Sequence, residues 1–314
     1  EVSDVGVQQE VLVVGRDHVG ATDGRAGRVE GLADGTAEGA AGAGHEHHAV
    51  AEIEVDWHTR VEGRDRQRTF PARGESPSVN CIGHRGFAGV NPENTLPAVR
   101  DAVGYSDGAA RADGVADAPG DPRVDGVEVD IRRCGSGELV VCHDDTVDRT
   151  TDGSGAVADH TADELAALSV EGSNAGVPTA AEVLDAIPAG VVLHAELKER
   201  VGEQFEALVA EVDPDCEIVV SSFDAEALEA VESLPRAWLV FEAEGAVERA
   251  RELDCVALHP AVDLCDGALV DRAHDAELAV NAWTVTEPAE TRRLAELGVD
   301  GVITDFPECC PSRV

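Results

Sequence analysis

Two histidines, an arginine and several carboxylates in this sequence have the types and spacing needed for acid–base chemistry next to bound ions. His84 and His143 carry imidazoles that titrate near neutrality, which suits proton transfer. Arg85 directly follows His84, and its planar guanidinium suits bidentate contact with an oxyanion. Glu128 and Asp130 supply carboxylate oxygens, which hard divalent cations prefer. These residues therefore predict a site for a divalent metal and a phosphate group.

The carboxylates are spaced so that their side chains converge. Glu128 and Asp130 are two residues apart in a β-type run, so both point to one side of the strand, about 6.6 Å apart along it. Glu196 and Lys198 repeat this spacing at the end of a later run. Carboxylates that point into a protein interior are unfavourable unless they are paired or bound to a metal. Three converging acids therefore predict an oxygen-seeking cation, Mg²⁺ or Ca²⁺.

From Ser78 onwards, short β-type runs alternate with stretches that have apolar residues three and four positions apart, as in helices. This alternation predicts an α/β fold, a (β/α)8 barrel, rather than a doubly wound sheet. Active sites of such barrels lie where strands end, which is where the polar residues fall. The predicted strands are Val79–Gly83, Gly126–Ile131, Val191–Leu197, Glu217–Ser221, Ala237–Phe241, Cys255–Leu258, Ala279–Trp283 and Gly301–Thr304.

Three segments depart from a regular barrel. Leu139–Cys142 is predicted to form a small hairpin with the second barrel strand. Tyr105–Asp125 is predicted to be a solvated loop, and the last helix is expected to be short or absent. Residues 1–78 are rich in Gly, Ala, Arg and His and show little periodicity. They are expected to be a disordered or non-native extension, so residues 79–314 form the predicted barrel domain.

The composition excludes several partners. The formal net charge is −39, from 63 acidic and 24 basic side chains, and Lys198 is the one lysine. Such a surface repels nucleic acid and anionic membranes. Strong acidity with few lysines and 3% aromatic residues is typical of a halophilic protein, in which salt screens the self-repulsion. The 43% of apolar residues are enough for a sizeable core.

The cysteines and the apolar runs predict a cytoplasmic protein. The eight cysteines show no C-x-x-C pair and no metal-ligand spacing, so most are expected to be small buried residues in a reducing compartment. No run approaches the roughly 18 apolar residues of a membrane span. The N-terminus shows no signal-peptide pattern.

The motifs, in this order, resemble those of the glycerophosphodiester phosphodiesterases. Each motif alone is weakly specific, but the ordered set is strongly so, and it extends over about Val79–Pro307. The resemblance implies a (β/α)8 barrel, in agreement with the predicted strands. The matching residues are Ile82-Gly83-His84-Arg85-Gly86, Pro92-Glu93-Asn94-Thr95, Glu128-Val129-Asp130, His143-Asp144, Glu196-Leu197-Lys198 and Trp283-Thr284-Val285.

The resemblance implies roles for the histidines and acids. His84 and His143 would be the general acid and base; the alternative is that they are solvated or capping histidines. Glu128, Asp130 and Glu196 would be the metal ligands; the alternative, surface carboxylates, conflicts with their position inside apolar runs. Four histidines match no motif and are expected to be structural: His160, His194, His259 and His274.

The resemblance also implies substrate-binding residues. Arg85 would hold the phosphate through its guanidinium fork, and Lys198 would add a point charge on the same group. Trp283 would form an apolar wall for a glycerol moiety, with core packing as the alternative, and Phe223 would share that wall. Glu93 would either orient the site or join the metal ligands.

The implied activity is metal-dependent hydrolysis of a small-molecule glycerophosphodiester to an alcohol and glycerol phosphate. In the family mechanism, the neighbouring glycerol hydroxyl attacks the phosphorus, one histidine takes its proton, and the other protonates the leaving alcohol. Water then opens the cyclic phosphate. Two alternatives are a phospholipase D-like enzyme on the same barrel, which releases a cyclic phosphate from an intact lipid, and a phosphate-ligand binding protein without catalysis.

Overall fold

The computed structural model describes residues 79–104 and 124–311. The predicted extension of residues 1–78 and most of the predicted Tyr105–Asp125 loop lie outside the described residues. None of the helices within the described ranges is long and apolar enough to cross a membrane.

Eight parallel strands close into a barrel, which confirms the predicted (β/α)8 fold. The hydrogen-bonded order is β1-β9-β8-β7-β6-β5-β4-β2, and β1 also pairs with β2. A short strand, β3, pairs antiparallel with the end of β2 and forms the predicted hairpin. The strands are β1 (Asn80–His84), β2 (Gly126–Arg133), β3 (Leu139–Val141), β4 (Val192–Leu197), β5 (Glu217–Ser222), β6 (Arg236–Val240), β7 (Ala257–Pro260), β8 (Ala279–Val285) and β9 (Gly301–Thr304).

Helices connect the strands, and several begin at a side-chain cap. Thr161 and Thr179 each form a capping box with the glutamate three residues later, which satisfies free N–H groups of the first turn. After β9, the described residues contain a 3₁₀ turn, Pro307–Cys309. The helices are α1 (Leu96–Ala102), α2 (Ala162–Ala166), α3 (Ala180–Ala186), α4 (Gly202–Val212), α5 (Ala225–Glu229), α6 (Ala246–Glu252), α7 (Gly267–Asp275) and α8 (Pro288–Leu297).

Most predicted strands differ from the observed strands by one or two residues at an end, and two of these differences have a clear cause. Cys255–Leu258 is shifted, because the ladder with β6 begins at Ala257 and continues to Pro260. Trp283 lies inside β8 rather than at its end, since β8 continues to Val285 with an irregularity in its pairing to β9. Hydrogen bonding to the neighbouring strand, rather than the apolar run, sets both boundaries.

Apolar and polar residues alternate along β2, and alternate residues of a strand face opposite sides of the barrel wall. On β2, Val127, Val129 and Ile131 belong to the apolar core that also includes helix residues. Gly126, Glu128 and Asp130 therefore point into the barrel.

A second set of polar side chains lies inside the barrel, where His194 comes two residues before Glu196 on β4. We call His194, His259 and Asn281 the lower layer. The two imidazole centroids are 5.6 Å apart, and the Asn281 amide donates to Nε2 of His259 over 3.1 Å. Glycines make room for this layer: a Cβ on Gly126 would lie 3.0 Å from the His194 ring, and one on Gly301 would lie 2.4 Å from Oδ1 of Asn281.

A disulfide joins Cys81 of β1 to Cys310, with the Cα atoms 5.1 Å apart. The sequence analysis did not predict this pair. The expectation of small buried cysteines describes the other six better, since all but Cys255 are buried.

Candidate active site

The implied site residues lie at the carboxyl ends of the barrel strands, where βα-loops of this fold begin. His84 is the last residue of β1, and Arg85 follows it. His143 comes two residues after β3, and Lys198 directly follows β4. The structure therefore brings together residues that are more than 100 positions apart in the sequence.

Glu128, Asp130 and Glu196 form a buried acidic triad. One carboxylate oxygen of each residue lies within 4.8 Å of those of the other two. Asp130 is 0% exposed, and Oε1 of Glu128 and Oδ1 of Asp130 are buried without a hydrogen-bond partner. A buried carboxylate oxygen that lacks a hydrogen bond is unfavourable. Three oxygen donors with two such atoms fit a hard divalent cation.

The protonation states of the triad depend on burial and on charge. Burial, followed by the negative charge of Asp130, raises the pKa of Glu128 to about 8. The same two causes raise the pKa of Glu196. Burial also pushes the pKa of Asp130 upward, but the charges of Arg85 and Lys198 outweigh it, and that pKa is lowered. A cation that binds here below about pH 8 must therefore displace the proton of Glu128.

Two cationic side chains approach the triad. Arg85 Nε lies 3.0 Å from Asp130 Oδ2, close enough for an ion pair although not aligned for a hydrogen bond. Lys198 Nζ donates to Glu196 Oε1 over 2.5 Å and lies 3.4 Å from Asp130 Oδ1. These charges allow the acids to be buried together and supply positive groups for a phosphate.

The backbone of the His-Arg-Gly motif has positive φ angles at Arg85 and Gly86, which bring it against Glu128 and α1. Arg85 is left-handed, with φ of 49°, and its N–H donates to Glu128 Oε2 over 3.1 Å. Gly86 has φ of 76°, and a Cβ there would lie 2.7 Å from the Ala98 carbonyl carbon in α1. Glycine is required because the turn packs directly on that helix.

His84 is held by a carboxylate on the last barrel strand's loop. Its Nδ1 lies 2.6 Å from Asp305 Oδ1, and its Nε2 lies 3.7 Å from Glu128 Oε2. Because an ionised carboxylate only accepts, Nδ1–H is the donor. Burial lowers the pKa of His84, but the hydrogen bond to Asp305 and the charge of Glu128 outweigh burial, and the net pKa is raised.

His143 has a similar partner but a more open setting. Its Nδ1 donates to Asp144 Oδ1 over 2.6 Å, and its side chain is 33% exposed, against 14% for His84. Burial lowers the pKa of His143, and the nearby carboxylates Asp130 and Asp144 do not fully compensate. Both histidines therefore use Nδ1 for a carboxylate and keep Nε2 for another partner.

Three residues of the Pro-Glu-Asn-Thr motif make distinct contacts. Glu93 accepts from Arg85 Nη1 over 3.1 Å, and arginine charges help to lower its pKa although burial raises it. Asn94 has φ of 59°, and its amide donates to Asp130 Oδ2 over 2.8 Å. Thr95 caps α1. Glu93 is not a member of the acidic triad, so its geometry favours the orienting role over the metal-ligand role.

Arg149 was not identified from the sequence. Its guanidinium contacts both oxygens of Glu93, over 3.0 and 2.7 Å, and Oδ2 of Asp144 over 2.5 Å. Asp305 directly follows the last predicted strand, Gly301–Thr304, and no role was predicted for it. Both form charged contacts with motif residues, and neither carries a spacing that could have revealed its partner.

Trp283 and Phe223 lie together in an aromatic cluster that also includes Phe241. The Phe223 and Phe241 rings stack at 4.7 Å, and the Trp283 ring meets them edge-on at 5.5 and 4.9 Å. The Trp283 indole donates to the His259 carbonyl over 2.8 Å. Phe241 is 65% exposed, which is unusual for a large apolar side chain. The sequence places Phe241 at the end of a predicted strand, which does not indicate that its side chain is exposed.

The barrel and its charged end fit an enzyme that acts on phosphate esters. Comparison with known proteins gives the family. The sequence profile of the glycerophosphoryl diester phosphodiesterase family matches residues 121–309. The chain therefore belongs to that family, and it is a phosphodiesterase.

Individual relatives agree with this assignment. A glycerophosphodiester phosphodiesterase of Caldanaerobacter subterraneus subsp. tengcongensis is 28% identical over 250 residues, which cover 72% of this chain and 94% of that protein. One from Bacillus altitudinis is 28% identical over 258 residues, covering 73% and 96%. The structure of an Oleispira antarctica phosphodiesterase in complex with the product sn-glycerol-3-phosphate is similar with a TM-score of 0.62 and 29% identity, covering 73% and 94%.

Proposed function

We propose that this phosphodiesterase hydrolyses small glycerophosphodiesters to an alcohol and glycerol phosphate in a metal-dependent reaction with two catalytic histidines. The observation that carries the proposal is the combination of two histidine–carboxylate pairs with a buried acidic triad that has partnerless oxygens. The product named for the Oleispira antarctica neighbour, sn-glycerol-3-phosphate, supports a glycerol phosphate as the product here.

The acidic triad is proposed to hold the divalent cation, Mg²⁺ or Ca²⁺. When bound, such a cation neutralises phosphate charge and polarises the phosphoryl oxygens. Arg85 and Lys198 would bind phosphate oxygens, and Glu93 keeps the Arg85 guanidinium in place. Trp283 and Phe223 form the apolar wall for the carbon face of glycerol.

The two histidines are proposed to move the protons. One imidazole Nε2 accepts the proton of the glycerol hydroxyl next to the phosphodiester, and that oxygen bonds to phosphorus. The other Nε2–H donates its proton to the alcohol as its bond to phosphorus breaks. The intramolecular attack benefits from a high effective concentration of the hydroxyl. Water then opens the cyclic phosphate and restores both protonation states.

The proposal is tested with His84→Ala and His143→Ala on two substrates that differ in their leaving group. With an alkyl leaving group, each variant is expected to lose about 100- to 10,000-fold in kcat/KM. With a p-nitrophenyl leaving group, which needs no protonation, the variant that lacks the acid is expected to recover most of its rate. Near wild-type rates for either variant on the alkyl substrate would refute the histidine mechanism.

A second candidate is phospholipase D-like cleavage of a diester that carries an apolar chain. The exposed stack of Phe223 and Phe241 favours it, because stacked aromatic rings are a suitable contact for a hydrocarbon chain. Phosphorus NMR separates the two: glycerol phosphate is expected from a small diester, and a cyclic phosphate that accumulates from a lipid would favour the second candidate.

The cytoplasmic location and the halophilic origin stay predictions from composition. The Cys81–Cys310 disulfide bears on the first, because disulfides persist mainly in oxidising compartments.

A further inference from the structure

Arg149 connects the two parts of the site that the proposed reaction must use together. We propose that it is a positioning residue, which holds His143 and Arg85 in a fixed relation through two carboxylates. The inference rests on the proposed function, because it concerns how that site is held together.

The contacts form one continuous chain of charged groups. Asp144 accepts from His143 with Oδ1, over 2.6 Å, and from Arg149 with Oδ2, over 2.5 Å. Glu93 accepts from Arg149 with both oxygens and from Arg85 with Oε1. His143 and Arg85, the proposed proton-transfer and phosphate-binding groups, are thereby linked through three side chains.

The geometry requires an arginine. Arg149 uses Nε for one carboxylate and both terminal nitrogens for the other, which only a planar fork with several donors allows. A lysine carries its three donors on one freely rotating nitrogen, so it could contact both carboxylates but could not fix the angle between them. Arg149 therefore supplies a fixed angle between the two carboxylates in addition to charge.

The backbone around Arg149 is anchored although its side chain is 48% exposed. Thr151 donates through Oγ1 to the Val147 carbonyl over 2.8 Å, and its segment bridges to Val170. The Thr150 carbonyl accepts from the Glu171 N–H over 2.6 Å. An exposed ion pair adds little to stability, so the value of this arrangement lies in orientation.

The test compares Arg149→Gln and Arg149→Lys with a matched control, Arg200→Gln. Arg200 also contacts two carboxylates, Asp224 and Glu226, but these are exposed and outside the site. We expect kcat to fall about 10- to 100-fold in both Arg149 variants, with KM changed less than about threefold, and no change in the control. A KM increase with unchanged kcat would show that Arg149 binds substrate directly and would overturn the proposal.

Double-mutant cycles test whether Arg149 acts through the two carboxylates. Arg149→Gln combined with Glu93→Gln, or with Asp144→Asn, is expected to lose much less than the product of the single losses. Fully multiplicative losses in both cycles would contradict the proposal. Circular dichroism melts of each variant confirm that the fold is kept.

A second readout does not depend on turnover. In NMR spectra, the downfield Nδ1–H signal of His143 is expected to shift in both Arg149 variants and to remain in the control; an unshifted signal would overturn the proposal. A wild-type enzyme that cleaves no glycerophosphodiester would refute the proposed function, while this signal would still decide the role of Arg149.

Discussion

Two groups of polar side chains are buried inside the barrel, the acidic triad and the lower layer, and they differ in how burial is compensated. The acidic triad places oxygens of three carboxyl groups within 4.8 Å of one another, and two of its oxygens are buried without hydrogen-bond partners. In the lower layer, burial keeps the pKa of His259 well below its ordinary value, and this ring bonds to Asn281, which occupies space left by Gly301. Polarity alone therefore does not mark a ligand site in a barrel; three converging carboxyl groups with partnerless oxygens do.

Removal of one carboxylate from the acidic triad should reduce activity strongly and stabilise the metal-free protein. Glu128→Gln removes a proposed cation ligand, and kcat/KM is expected to fall about 100- to 1,000-fold. The metal-free variant should melt at a higher temperature than the metal-free wild type, because the raised pKa of Glu128 shows that its ionised form is unfavourable in the fold. Activity assays and melts in EDTA check both effects, with the exposed Glu203→Gln as the control. An active variant would remove Glu128 from the cation site.

Cation binding to the acidic triad should depend on pH. The pKa of Glu128 is raised to about 8 without metal, so below that pH the carboxyl holds a proton that the cation must displace. We expect the apparent affinity for Ca²⁺ or Mg²⁺ to rise with pH, by up to about tenfold per unit, and to level off above about 8. Calorimetry in two buffers of different ionisation enthalpy measures the released proton. Binding that is independent of pH, or activity that survives excess EDTA, would place the cation elsewhere.

The lower layer should affect stability and leave catalysis nearly unchanged. Burial lowers the pKa of His259 well below its ordinary value, so the folded protein keeps it neutral while the unfolded chain takes up a proton below about pH 6.5. Stability is therefore lost as pH falls below 6.5, by up to about 1.4 kcal/mol per unit from this group. His259→Gln should flatten that loss and keep kcat within about threefold. Denaturant unfolding between pH 4.5 and 7.5 tests it, with His160→Gln as the control; an unchanged pH profile would show that another group dominates.

The alternating strands and the ordered motifs could be predicted because both are local patterns. The eight barrel strands follow from apolar runs. Their exact ends depend on pairing with a neighbouring strand, as at Ala257 and Pro260. The acidic triad could be predicted from i,i+2 spacing on two strands that pair directly, Asp130 opposite Glu196.

Three residues at the site could not be predicted because their contacts depend on the tertiary structure. Asp305 reaches His84 across 221 positions, a contact that exists only once β9 pairs with β1. Arg149 lies in an irregular segment, where no periodicity shows the direction of a side chain. Phe241 reads as the end of an ordinary strand, and its position beside Trp283 depends on the order of strands around the barrel.

The disulfide between Cys81 and Cys310 makes a covalent ring of nearly the whole barrel domain. A single proteolytic cut anywhere between these residues would open the ring without releasing a fragment. After such a cut, the first and last strands would stay covalently joined at the place where His84 contacts Asp305.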